Sequence, residues 1–189
     1  MIQIFITMEH SKNTLFLVSF KIGALYGLLS IVITLLIYIL NIYMFSIGFG
    51  IIFFLITLGI SIFVFRYAMR KIRDRYLNGT ISFINKFLIG LIVGLVSGWI
   101  SGIFGLLLFT YYDPGFINGQ IDIFIDKLAQ YGLDDAAITK QEENLRQGFT
   151  QIGQIKNMLI RTPIFTIILS LIIAAFVKKE INKDDGVVM

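Results

Sequence analysis

Cysteine is absent from this chain of 189 residues, and histidine occurs once, as His10. The first absence excludes disulfides, thiolate metal sites and thiol nucleophiles, and it leaves the redox compartment open. Charge is scarce too: 15% of residues are charged against 57% hydrophobic, with a mean hydropathy of +0.84. A soluble domain of this length needs a polar shell that such a composition cannot supply. No nucleophile elbow, phosphate loop or zinc-binding spacing occurs. No catalytic, cofactor-binding or metal-ligating residue is therefore assigned, and an enzyme is not expected.

What the chain has instead is long apolar runs: Ile22–Ile42, Phe45–Phe65, Phe87–Tyr112 and, less cleanly, Met158–Val177. None carries an ionisable residue at its centre. A helix rises about 1.5 Å per residue, so roughly 20 residues cross a hydrocarbon core of about 30 Å. The expected fold is an all-α polytopic integral membrane protein, a single membrane domain over 1–189 with four transmembrane helices. The fourth run is weakest, because its uninterrupted part, Ile164–Val177, is short and its extension includes Arg161 and Pro163. Arg161 would snorkel at the outer interface and Pro163 would start or kink the helix. A re-entrant segment is the alternative. No cleavable signal peptide is evident, since the first run is too long for an h-region. The residues before Met8 look dispensable, which makes Met8 a rival start.

Basic residues flanking spans stay cytoplasmic. The segment 66–86 carries Arg66, Arg70, Lys71, Arg73, Arg75 and Lys86 against Asp74. The C-terminal tail adds Lys178, Lys179 and Lys183, and the N-terminal flank has Lys12 and Lys21. With four spans, both termini and the basic loop 66–86 fall inside, and 113–157 falls outside. A bacterial inner-membrane location follows from this pattern and the resemblance given below.

The third run contains the sharpest local pattern. Gly90, Gly94, Gly98 and Gly102 recur at every fourth position, and Gly23 and Gly27 repeat the motif in the first run. Such a face lets helix backbones approach closely, which is how spans associate without a hydrophobic driving force. What fills it is a helix of this chain, a second copy, a partner span or lipid. Ile22–Ser30 and Ile89–Ser97 also align, which suggests a parallel repeat of two hairpins.

The outer segment reads as an amphipathic helical hairpin. Asp113 suits an N-cap with Pro114 at the first helical position. Ile117, Ile121, Phe124, Leu128 and Tyr131 follow one apolar face, and Gly132 suits a stop. Asp134 or Asp135 caps a second helix, with Thr139-x-x-Glu142 as a rival capping box. Asp122 and Asp126 share a helix face, as paired acid/base or cation-binding carboxylates do. No histidine or cation loop accompanies them, so a solvated helix face is the preferred account.

Arg66, Arg70, Lys71, Arg73 and Arg75 are the candidate anionic-lipid contacts, because juxtamembrane basic clusters attract acidic headgroups. So short a loop lacks a folded reader of nucleic acid. At this loop, Ile72-Arg73-Asp74-Arg75-Tyr76-Leu77-Asn78-Gly79-Thr80-Ile81-Ser82-Phe83, with Lys86-Phe87 after it, resembles the characteristic loop of a Bacteroidota family of small four-span proteins, domain-of-unknown-function family 4199. That family usually has Gly-Gly where this chain has Asn78-Gly79, and Asn tolerates a left-handed turn. The resemblance implies a four-span fold and an inner-membrane location, and no activity. The expected function is a non-enzymatic accessory or assembly subunit packing through its glycine faces, with membrane lipids and a membrane-protein partner or second copy as its contacts. The alternative is a small transporter or oligomeric channel.

Overall fold

The computed structural model describes residues 2–179, with side chains from Asn13 onward. Expectations placed on Met8, His10, Lys12 and Lys183 lie outside the described side chains. Every regular element among the described residues is helical: α1 Ile2–Ile39, α2 Ile47–Tyr76, α3 Phe83–Leu106, α4 Pro114–Gln130, α5 Asp135–Phe149, α6 Gln151–Lys156 and α7 Thr162–Phe176. Two π-helical turns, Leu107–Tyr112 and Asn157–Arg161, extend α3 and join α6 to α7. Four stretches are long and apolar enough to cross a membrane: Asn13–Ile39, Ile47–Tyr76, Phe83–Tyr112 and Gln151–Phe176. The fold is all-α and polytopic.

The span boundaries differ most from the sequence expectation at the first stretch, which runs Asn13–Ile39 rather than Ile22–Ile42, at the basic segment and at the fourth stretch. The segment 66–86 is mostly helix rather than loop, because α2 runs to Tyr76 and α3 begins at Phe83. The basic side chains lengthen the span instead of ending it, since Arg and Lys are good helix formers. The turn itself is 77–82, with Asn78 at φ 51° and Gly79 at φ 84°. Ser82 starts α3 by accepting from the Asn85 N–H at 3.3 Å. The fourth helical stretch starts at Gln151 rather than Met158. It crosses Arg161 and Pro163 through a π-turn: Thr162 N–H bonds back to the Asn157 carbonyl. A proline ring clashes with the carbonyl four residues before it, and widening the turn relieves that clash.

Helix α3 lies at the centre and touches α1, α2 and α7. The largest fully buried side chains include Met69, Ile72, Ile89 and Val93. These lie toward the end where α2 turns into α3, called here the basic end. At the opposite end α4 and α5 form a pair that packs on the 40–46 turn. Helix α2 is peripheral: only 6% of its most apolar window is buried.

Candidate functional site

The glycines of α3 face the chain's own α7. A Cβ on Gly90 would lie 2.6 Å from Ser170 Oγ. On Gly94 it would strike Thr166 and Phe65, and on Gly98 the methyl of Thr162. Each four-residue step along α3 meets a four-residue step backwards along its antiparallel neighbour. At Gly102 the approach relaxes to 3.2 Å from Met158 Sδ, and at Gly105 nothing lies within 4 Å. Gly23 and Gly27 turn to α3 instead, where an added Cβ would lie 2.9 Å from the Val93 carbonyl oxygen and 2.8 Å from Ile100 Cβ, respectively. The two glycine segments therefore do not face each other; α1 packs on α3, and α3 packs on α7.

Where the α3–α7 contact loosens, a cleft of about 550 Å³ opens beside Gly98, Gly102 and Gly105. It shares Gly98, Ser101 and Thr162 with an inner cavity of about 150 Å³. Hydroxyls of Tyr26, Ser30, Ser61, Ser97 and Thr166 line that cavity. Several are tied back to backbone: Ser30 donates to the Tyr26 carbonyl at 3.0 Å and Ser97 to the Gly94 carbonyl at 3.1 Å. Tyr26 and Ser61 hydroxyls meet at 2.7 Å and join α1 to α2.

The basic residues divide by role. Arg66, Arg70 and Arg75 are exposed and Lys71 is half-buried, with its Nζ 5.3 Å from the Tyr67 ring centroid. Arg73 is only 8% exposed. Its Nε binds Asp74, and its Nη1 donates to the Lys178 carbonyl at 3.1 Å. Arg73 therefore leaves the set of outward-facing lipid contacts. Lys86 is buried as well, with Nζ donating to the Val177 carbonyl at 2.7 Å. The Ile81 N–H donates to the Lys179 carbonyl at 2.9 Å. These three carbonyls lie just past the end of α7, in extended chain that supplies no helical donors, so two cations and an amide satisfy them instead.

The Asp113 expectation has its counterpart in space: Oδ1 accepts from the Phe116 N–H at 3.0 Å, with Pro114 in the first turn. Its Oδ2 accepts from the Tyr38 hydroxyl at 2.9 Å. Asp134 takes the N-cap position of α5 without a side-chain hydrogen bond. Thr139 lies inside α5 and donates to the Asp135 carbonyl, so the rival capping box is unused. Arg146 of α5 binds Asp122 of α4 at 2.6 Å and Glu142 at 2.8 Å. Those hydrogen bonds, Glu142 first, hold its guanidinium above the ordinary arginine value. Asp122 is thus tied to a cation across the helix pair rather than coupled to Asp126.

The model of the family described as Protein of unknown function (DUF4199) matches residues 21–179. The chain belongs to the DUF4199 family. No curated protein and no solved structure matches it. The DUF4199 match runs from Lys21 to Lys179 and so includes the glycine face, the basic turn, the helix pair and the carbonyl clamp on α7. Two residues of this DUF4199 chain escaped sequence reasoning. Lys86 read as a flank, although Ser82 as an N-cap would have placed it inside the first turn of α3. Gln120 interrupts the apolar stripe of α4 and is buried, accepting from the Met44 N–H at 3.0 Å and donating to Asn41 Oδ1 at 3.3 Å.

Proposed function

We propose that this DUF4199 protein is a non-enzymatic subunit of the bacterial inner membrane, with both termini cytoplasmic, that accompanies or helps assemble another membrane protein. The observation that carries this reading is the position of α2. The glycine faces are closed against the chain's own helices at Gly23, Gly27 and from Gly90 to Gly98, while α2 leaves an apolar outer surface including Ile51, Leu55 and Phe63 uncovered. A span so little used by its own bundle suits contact with another span or with lipid. The basic end supports the orientation, since Arg66, Arg70, Lys71 and Arg75 belong on the cytoplasmic side and contact anionic headgroups there.

The test is a photoreactive residue at Phe54 on α2 or at Ile168 on α7, followed by extraction in native lipid and measurement of particle mass. An adduct from Phe54 to one stoichiometric protein, absent from Ile168, is the expected result. A particle of this chain and lipid alone, with no protein adduct, overturns the reading. The joined cleft and hydroxyl-lined cavity favour a second reading, a small transporter or oligomeric channel. That reading requires solute flux into liposomes containing the purified protein alone.

A further inference from the structure

The segment from Asp113 to Arg161 carries more acids than bases, yet its acids are missing from the cleft it forms beside α3. Among the described residues, no Asp or Glu lines the 550 Å³ cleft or an adjoining groove of about 620 Å³ along α5 and α6. The two share Asn144, Gly148, Asn157 and Arg161, and Lys156 also lines the groove. Of the acids on α4 and α5, Asp122 and Glu142 both bind Arg146, and Glu143 lines neither space. Neither Arg161 nor Lys156 forms an ion pair among the described residues. A guanidinium, an ammonium and two carboxamides thus line these two adjoining spaces with no competing carboxylate. Such a donor set recognises an oxyanion, and the planar guanidinium does so with two parallel N–H groups.

The other wall has opposite chemistry. Beyond the contacts of Gly98 with Thr162 and Gly102 with Met158, Gly105 gives an open floor without a side chain, and Phe109, Leu145 and Met158 supply apolar sides. The π-turn Asn157–Arg161 lies where α7 parts from that floor, and such turns often mark functional positions. We infer that this cleft and the adjoining groove bind an anionic amphiphile, with its oxyanion head at Arg161 and Lys156 and its hydrocarbon chain along the open α3 face at Gly105. A helix about 10 Å across occupies roughly 420 Å³ per turn, so the cleft takes little more than one turn of a partner helix. A flexible chain needs no such cross-section. The inference goes beyond the accessory role and does not depend on it.

The probe is dihexanoyl phosphatidate, titrated calorimetrically into the full chain held in nanodiscs of phosphatidylcholine, with inorganic phosphate as the head alone. Saturable one-to-one binding is expected. Phosphate should bind at least tenfold more weakly, and Arg161→Gln and Gly105→Leu should each weaken phosphatidate at least tenfold. Gly148→Leu, also at a position facing open space, repeats the steric test if Gly105→Leu does not fold. Lys140→Gln, at an exposed base of α5 that lines neither the cleft nor the groove, should bind as the unaltered chain does. Absence of saturable binding, or unchanged binding in the Arg161 and glycine variants, overturns the site. Phosphate binding as tightly as phosphatidate overturns the amphiphile in favour of a free oxyanion. An equal loss in Lys140→Gln overturns the location.

Discussion

Gly94 and Gly105 lie on one helix, yet a methyl group would collide at the first and meet nothing at the second. Toward the basic end the facing residues, Ser170, Thr166 and Thr162, are small and arrive in register with the glycines. Toward the helix pair the facing residue is Met158, and α7 gives way to a π-turn. Close packing between spans depends on small residues on both surfaces. A glycine ladder on one helix therefore marks where contact is allowed, and its neighbour decides how far the contact continues. The closed end is also where the chain leaving α7 is fastened, by Lys86 and Arg73 on the carbonyls of Val177 and Lys178.

The largest test of this contrast substitutes the same side chain at both ends. Gly94→Leu should abolish the folded bundle or lower its melting temperature sharply, since overpacking costs about 1–3 kcal/mol and more where backbone cannot move. Gly105→Leu should leave the melting temperature nearly unchanged. Thermal unfolding of both variants in one detergent decides it, and equal losses would erase the distinction between closed and open ends. Next in size, Lys86→Met should destabilise by about 1–3 kcal/mol, because it leaves the buried Val177 carbonyl without its donor. Arg161→Gln at the open end should stay within about 0.5 kcal/mol, as exposed substitutions usually do.

Much of this contrast was legible in the residues, and some of it could not be. Periodicity and hydropathy identify the four spans because a lipid-facing helix needs apolar residues over its whole length. The left-handed turn at Asn78-Gly79 and the Asp113 cap were legible because each depends on neighbours in sequence. The burial of Arg73 and Lys86 was not, since their acceptors are carbonyls at Val177 and Lys178, about a hundred residues away. Nor could the ladder reveal its own opening at Gly105, which depends on the π-turn before Pro163. Gln120 was hidden for a similar reason: its partners belong to the 40–46 turn. Gln120→Leu should cost about 1–3 kcal/mol by leaving the Met44 N–H unpaired. Faster hydrogen exchange across 41–46, with no change across 70–90, would show that the two ends are secured separately.

The smallest expected effect lies within the helix pair itself. Arg146 joins Asp122 and Glu142, but all three side chains are more than a third exposed. Exposed ion pairs gain little over their hydrated state and weaken as salt screens them. Arg146→Ala should therefore shift the melting temperature by no more than a degree or two, with the difference vanishing in high salt. The pair stays together by other means: Phe45 of the 40–46 turn packs on Phe124 of α4 at 5.8 Å and on Phe149 of α5 at 6.1 Å. Phe45→Ala should accordingly exceed Arg146→Ala in effect and keep that effect in high salt. If Arg146→Ala proves the more damaging, the helix pair is held by charge rather than by its aromatic seat. The open end of the molecule would then respond to ionic strength while the closed end would not.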